Sequence, residues 1–218
     1  MKSAVLYSGV SYQHFFLHHK NDKYKSRFTD VIYVLDLHKA DLSVYDYVIV
    51  LTRMNQDLLV EHAPKFQEYL DGGGHLISFG DFDRPWVSGV KWKFYPTNFH
   101  WWVNPGADLP LYAVNDDHPL FRYITVDDAK WHYHGVFLPH EEAERVLVNE
   151  IGESIIYVDR TTHRGNLYMT TLDPDYHMGQ GFIPKVETFL DGYLAWIEED
   201  IANLKKISIS NKEASSCL

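Results

Sequence analysis

The segment TLDPDYHMGQGF, residues 171–182, concentrates groups that can carry protons or bind a metal ion. Asp173, Asp175 and His177 fall within five positions, directly after an apolar run typical of a β-strand. Pro174 favours an extended residue before it and a turn after it, so a turn in which Asp173 binds a local amide explains part of the pattern. The histidine and the two glycines that follow are not explained by a turn alone. We therefore expect His177 and Asp175 to act in catalysis and Asp173 to bind a ligand.

The segment WHYHG, residues 131–135, supplies a candidate metal pair. On a β-strand, residues two apart face the same side, which would project His132 and His134 together. Neutral imidazoles bind zinc and related ions well. A third ligand can come from residues 171–182, either from one of the two aspartates or from His177. The alternative is a solvated pair of histidines on an exposed strand.

A serine nucleophile is a second chemical possibility. Ser78 would need a base within hydrogen-bonding distance and a third group to orient that base, and His177 with Asp173 or Asp175 can supply both. The neighbouring Phe79 stands where such turns usually carry a small residue. The alternative is an ordinary buried serine near the end of a strand.

Further ligand-binding candidates follow other apolar runs. Asp81 and Asp83 come after the fourth such run, and they can bind a metal ion or the hydroxyls of a polyol, or cap a turn. Tyr12 and His14 follow the first run and can form the walls of a cleft. Arg53 follows the third run, and it can pair with a ligand carboxylate or phosphate, or with Asp81.

These residues need a sheet to bring them together. Continuous β-branched runs without alternation predict parallel strands covered on both faces. A helix is expected after the third strand, with Pro64 in its first turn and Gly72 ending it in a left-handed conformation. Residues 10–22 are expected to form a loop. Alternating strands and helices predict an α/β fold, a flavodoxin-like, doubly wound and mostly parallel sheet, in which ligands bind at the carboxyl ends of the strands. The four predicted strands cover residues 3–8, 31–35, 45–52 and 75–80.

The rest of the chain is expected to complete a single domain over residues 1–204. An irregular, aromatic-rich insertion or lid occupies residues 84–130, and a long helix covers residues 183–204. Residues 205–218 are polar and are expected to form a frayed tail. Further strands are predicted within the segments KWHYHGVF, RVLVN, SIIYVD and NLYMTTLD.

Composition limits the possible partners. The 218 residues carry a formal charge of −10, which argues against nucleic acid and against an anionic membrane as partners. No apolar run approaches the roughly 20 residues that span a bilayer. The sole cysteine, Cys217, cannot form an intramolecular disulfide, and we expect a cytoplasmic protein. No nucleotide cofactor motif is present, so a divalent metal is the cofactor to consider. The expected partner is a small-molecule ligand, and a homo-oligomer stays possible.

Several segments together resemble the class I glutamine amidotransferase-like superfamily, and within it the trehalose-utilisation (ThuA-like) branch. They are YDYVIVLTRMNQDLLVEHAPKFQEYLDGGGHLISFGDF, NDDHPLF, GNLYMTTLDPDYHMG and a closing helix with LAWI. The resemblance implies a ligand that is small, polar and related to carbohydrates. Amidotransferases place a cysteine nucleophile in a G-x-C-x-G turn, but the matching LISFG stretch has Ser78 there, so the resemblance does not extend to glutaminase activity. Serine dipeptidases of the same superfamily do use a serine at that turn.

Three functions remain open at the level of the sequence. The first is a ThuA-like protein that binds a small polar ligand in a cleft lined by histidine and aspartate. The second is a hydrolase that uses Ser78 or a metal-bound water. The third is a non-catalytic scaffolding member of the fold.

Overall fold

The computed structural model describes residues 1–97, 99–181 and 183–216, with side chains described to residue 207. Within these residues, ten strands form one sheet. The strands are β1 (Ser3–Tyr7), β2 (Asp30–Tyr33), β3 (Tyr47–Val50), β4 (His75–Phe79), β5 (Trp92–Phe94), β6 (Leu111–Ala113), β7 (Gly135–Phe137), β8 (Glu144–Asn149), β9 (Ser154–Asp159) and β10 (Leu167–Thr170).

The sheet follows the order β2-β1-β3-β4-β10-β9-β7-β5, with β8 pairing to β9 and β6 pairing to β8. The strands from β2 to β10 in this order are parallel to one another. On the other side of β10 in this order, strands β5 to β9, which precede β10 in the chain, pair antiparallel. The doubly wound, flavodoxin-like α/β fold predicted from the sequence is confirmed.

Helices cover both faces of the sheet, so the molecule has two apolar cores. Strand residues alternate between them: Val5, Ile49 and Ile77 face the first core, whereas Val48 and Leu76 face the second. The first core packs against helices α1, α5 and α6, and the second packs against α3 and α4. The helices are α1 (Ser11–Leu17), α2 (His19–Asp22), α3 (Gln56–Glu61), α4 (Ala63–Asp71), α5 (Pro174–Gln180) and α6 (Lys185–Ser216). Of the helices that the structure describes, none is long and apolar enough to cross a bilayer.

Two local predictions are wrong. Residues 11–17, expected to lie in a loop, form helix α1, which buries Gln13, Phe16 and Leu17 on one side. The helix α4 does begin with a proline in its first turn, but Gly72 has a φ of −70°. The left-handed residue is Gly73, with a φ of +98°, a conformation that glycine adopts without steric cost.

The middle and the end of the chain also differ in detail from expectation. Residues 84–130 contain long irregular stretches, and they also add β5 and β6 to the antiparallel part of the sheet. Helix α6 continues to Ser216, well past residue 204, so the backbone of most of the expected tail is helical. Cys217 lies outside the described residues.

Candidate metal centre

Four segments meet at the carboxyl end of the parallel strands. Residues 52–53 follow β3, residues 81–83 follow β4, and residues 173–177 follow β10 and begin α5. The fourth segment is the loop that leads into β7. It carries His132 and His134, so the prediction that these residues lie on a strand is wrong, because β7 begins only at Gly135. Both imidazoles nevertheless face the site, with ring centroids 5.4 Å apart.

His132, Asp173 and His177 form a compact group of buried ligand atoms, hereafter the metal triad. One ligand atom from each residue lies within 4.8 Å of the others. His177 Nε2 is 3.1 Å from His132 Nε2 and 3.2 Å from Asp173 Oδ1. Two nitrogen ligands of a tetrahedral zinc ion stand about 3.3 Å apart, because each lies about 2.0–2.1 Å from the metal. The spacing therefore suits a single transition-metal ion.

For two residues of the metal triad, His132 and Asp173, the surroundings favour the protonation states that bind metals. Burial lowers the pKa of His132 to about 4, so its imidazole is neutral at pH 7. Burial alone would raise the pKa of Asp173, but the hydrogen bond and charge of His177 and the other nearby histidines hold it below its usual value. A neutral imidazole and an ionised carboxylate are the forms that bind metals.

Asp173 is free to act as a ligand because it does not cap α5. It occupies the N-cap position of that helix, yet its side chain makes no capping hydrogen bond. Instead Oδ1 accepts a hydrogen bond from the Trp131 indole at 3.3 Å. Among the described residues, neither Asp173 Oδ2 nor His132 Nδ1 has a hydrogen-bond partner. Buried polar atoms without partners are rare in folded proteins and call for an explanation, such as a bound ion or water.

Asp175 has a different environment, although it lies between two residues of the metal triad in sequence. Its carboxyl group is fully buried and accepts the Thr52 backbone N–H, with its two oxygens 3.2 and 3.4 Å from that nitrogen. Burial, and then the charge of Asp173, raises the pKa of Asp175 to about 8. Asp175 therefore joins α5 to the end of β3, and it is not among the residues that form the metal triad.

Tyr12 and Arg53 line the site at its outer side. The Tyr12 hydroxyl donates to the Thr52 carbonyl at 3.0 Å, and its ring packs edge-on against Tyr176. The Arg53 guanidinium lies 4.0 Å from the centre of the Tyr176 ring and 3.5 Å from Asp173 Oδ2. Arg53 also has a φ of +56°, a left-handed conformation that costs a residue other than glycine roughly 1–2 kcal/mol. Backbone strain of this kind often accompanies function.

The two aspartates after β4 differ in burial. Asp81 is partly buried, and one of its oxygens has no hydrogen-bond partner among the described residues. Burial raises its pKa, and the charges of His134, Asp83, Asp173 and Arg53 also act on it. Because β4 lies next to β10 in the sheet, Asp81 and the metal triad are at the same edge of the sheet. Asp83 is exposed.

Two other predicted residues point elsewhere. His14 is exposed on α1, where its ring packs against His18, with the ring centroids 4.4 Å apart.

Ser78 lies inside β4, in register with Val50 and Met169, which both face the second core. Trp131, whose ring packs against His177, belongs to the first core, on the other face of the sheet. The structure therefore does not orient Ser78 toward the metal triad, and its role as a nucleophile stays a prediction.

Several residues of the site were not singled out by the sequence. Trp131 binds Asp173, and the Thr52 amide binds Asp175. The Phe99 ring packs against both His132 and His134, at 4.9 and 5.2 Å. Only Trp131 carried a usable signal, since it directly precedes the histidine pair. A backbone amide and an aromatic residue from a distant irregular segment have no local sequence signature.

Comparison with known proteins shows the class of fold. No protein-family model matches the sequence, and no curated protein matches it at a significant level. Solved structures do match, among them a glutamine amidotransferase from Thermotoga maritima. That structure has a TM-score of 0.51 and 11% sequence identity, over 92% of this chain and 85% of that one. The chain therefore has a glutamine amidotransferase-like fold.

A second match is an exo-β-1,4-mannosidase from Opitutaceae bacterium strain TAV5, with a TM-score of 0.53 and 10% identity. The match covers 89% of this chain but only 35% of the mannosidase, so the chain corresponds in fold to about a third of that enzyme. At such low identity, both likenesses concern the fold alone.

Proposed function

We propose that this glutamine amidotransferase-like chain binds a divalent transition-metal ion at the metal triad and, through that ion, a small polar, carbohydrate-related ligand. The observation that carries the proposal is the set of three buried ligand atoms, from His132, Asp173 and His177, within 4.8 Å of one another. Two imidazoles and one carboxylate suit zinc, iron, nickel or manganese better than calcium or magnesium. The position of the triad at the carboxyl ends of the parallel strands, where such sheets bind ligands, supports a binding site.

The proposal excludes glutaminase chemistry through a cysteine. At the position that resembles the amidotransferase nucleophile, the chain has Ser78. Membership of the ThuA-like branch and a carbohydrate-related ligand are proposed on the sequence resemblance. The partly buried carboxylate of Asp81 beside the metal triad supports a ligand with hydroxyl groups, because a carboxylate accepts hydrogen bonds from hydroxyls.

Metal binding is tested by titrating metal-free protein with Zn²⁺, Mn²⁺, Ni²⁺ and Fe²⁺ by calorimetry and by measuring the bound metal by elemental analysis. We expect one ion per chain in the wild type. The substitutions His132→Gln and His177→Gln remove a ligand each, and we expect them to weaken binding by at least about 100-fold. His38→Gln, which alters an exposed histidine away from the metal triad, is the matched control and should bind like the wild type. A wild type without stoichiometric metal, or a His177→Gln variant with unchanged affinity, would contradict the proposal.

A metal-dependent hydrolase is the second candidate. Three protein ligands leave a coordination position open for water, and a metal-bound water is a nucleophile at neutral pH. This candidate predicts metal-dependent turnover of ester or glycoside substrates that is lost in His177→Gln. A serine hydrolase instead predicts labelling of Ser78 by a fluorophosphonate, and a scaffolding protein predicts neither turnover nor a shift in thermal stability with any small ligand.

A further inference from the structure

We propose that Arg53 forms an oxyanion-binding subsite beside the metal, so that the ligand carries a carboxylate or phosphate group next to the oxygen that binds the ion. The inference rests on the proposed function, which it makes more specific by naming the chemical class of the ligand. It is independent of whether the ligand is turned over.

The guanidinium of Arg53 is held in place, but the described hydrogen bonds do not use all of its N–H donors. It stacks on Tyr176 at 4.0 Å, and one of its nitrogens is 3.3 Å from His134 Nε2. The side chain is 39% exposed, although Asp173 beside it is only 1% exposed. Arginine has five N–H donors, and the described hydrogen bonds use one of them, the one to His134. The remaining donors are available to a ligand that enters from solvent.

A simpler explanation is that Arg53 only neutralises the buried Asp173. The geometry does not favour it, because the closest approach is 3.5 Å, whereas charge-assisted hydrogen bonds of this type are about 2.7–2.9 Å long. Asp173 also has the Trp131 indole and His177 as closer partners. Stacking on Tyr176 fixes the plane of the guanidinium, which prepares its fork for a planar or tetrahedral oxyanion.

The charges around Arg53 restrict the ligand further. Asp173 places a carboxylate oxygen 3.5 Å from the guanidinium, and Asp81 follows the neighbouring strand at the same edge of the sheet. Asp81 has a buried oxygen without a hydrogen-bond partner among the described residues, an acceptor that a ligand hydroxyl inserted beside it would satisfy. A ligand that bears an oxyanion for Arg53, a hydroxyl for Asp81 and an oxygen for the metal fits all three groups. Sugar acids and sugar phosphates have this combination.

The test uses metal-loaded full-length protein and four probes: D-gluconate, glucose 6-phosphate, inorganic phosphate and the neutral polyol sorbitol. Binding is measured by calorimetry and by thermal shift. The variants are Arg53→Asn, whose side chain tolerates a positive φ, and Arg53→Lys, which keeps the charge but loses the fork. Arg122→Gln is the matched control, because Arg122 is exposed and pairs with Glu199 at 2.7 Å. Metal affinity is measured for every variant on the same samples.

We expect at least one anionic probe to bind the wild type and Arg122→Gln more tightly than sorbitol does. We expect Arg53→Asn to weaken that binding at least tenfold, and to leave metal affinity within about threefold of the wild type. Preference for gluconate identifies a carboxylate ligand, and preference for glucose 6-phosphate a phosphate ligand.

Three outcomes would overturn the subsite. They are equal binding of sorbitol and the anions, unchanged anion binding in Arg53→Asn, and equal loss of metal and anion in Arg53→Asn. The last would mean that Arg53 serves only to hold Asp173. If the wild type binds no metal, the proposed function fails, whereas anion binding to that metal-free protein, lost in Arg53→Asn, still supports the subsite.

Discussion

His75 is a buried residue whose charge state the fold controls. Its Nδ1 accepts the backbone N–H of Asn166 at 3.0 Å, and burial lowers its pKa to about 4. The unfolded chain binds this proton near pH 6.5, so the stabilising contribution of the neutral ring is complete above pH 6.5 and is lost as the pH falls toward 4. The full effect is of the order of 3 kcal/mol.

The measurement is urea unfolding of the wild type and His75→Gln at several pH values from 7.5 to 4.5. Glutamine can accept the same hydrogen bond without titrating. We expect the wild type to lose stability relative to His75→Gln as the pH falls. A difference between the two proteins that does not vary with pH would show that the pKa of His75 is the same in the folded and the unfolded chain. His38→Gln serves as the control, because His38 is exposed.

The residues that the segment 171–182 contributes to the metal triad show what sequence spacing can and cannot predict. The sequence singled out Asp173, Asp175 and His177 together, because they cluster after an apolar run. It could not choose among them, since a turn was expected where the chain forms α5. On a helix, residues four apart share a face, which brings Asp173 and His177 together at 3.2 Å. Asp175 is turned toward Thr52 instead.

At the scale of elements, Gly179 explains how α5 is positioned. A Cβ on this residue would lie 2.0 Å from the backbone oxygen of Tyr12 in α1, so only glycine allows the two helices to pack this closely. We expect Gly179→Ala to separate α1 from α5 and to destabilise the fold by about 1–3 kcal/mol. Metal affinity should fall as well, because α5 carries His177.

The control is Gly106→Ala, measured by the same unfolding and metal titrations. Gly106 has a φ of +77°, and no atom lies within 4 Å of the point that an alanine Cβ would occupy. This substitution therefore costs only backbone strain of about 1 kcal/mol. Equal metal affinities in Gly179→Ala and the wild type would show that the helix contact does not position the site.

The sequence predicts the wrong secondary structure where the local residue pattern and the tertiary packing favour different elements. The strands β1, β3 and β4 are continuous apolar runs, and the sequence identified them. Helix α1 is only seven residues long and aromatic-rich, and its stability comes from packing against α5 rather than from helix propensity. In the WHYHG segment, apolar and polar residues alternate as they do in a strand, but the segment is a loop. The loop places Trp131 in the first core and the two histidines in the site.

At the scale of the whole molecule, Arg160 joins the antiparallel part of the sheet to the long helix. It follows β9 and pairs with Glu144 of β8 at 3.0 Å and with Asp200 of α6 at 2.7 Å. Asp200 also accepts a hydrogen bond from Tyr168 of β10. Loss of the guanidinium leaves two carboxylates close together without their shared partner.

We expect Arg160→Gln to lower the free energy of unfolding by about 2 kcal/mol. The measurement is chemical denaturation at pH 7. Arg145→Gln is the matched control, because Arg145 is exposed and, among the described residues, donates to the Gly152 carbonyl alone, at 3.2 Å. This substitution should change stability by less than about 0.5 kcal/mol. Equal effects of the two substitutions would mean that the Arg160 network contributes nothing beyond a surface ion pair.

The distance along the chain between His132 and His177 has a consequence for the order in which folding and metal binding occur. The Nε2 atoms of the two residues are 3.1 Å apart, although the residues are 45 positions apart in the chain. His132 precedes β7, and His177 follows β10, so the antiparallel strands β7 to β9 lie between them in the chain. A newly made chain cannot capture an ion there until β7, β9 and β10 have paired. The proposed ion would therefore bind only after this part of the sheet has formed, and it should slow unfolding strongly while leaving the rate of refolding almost unchanged.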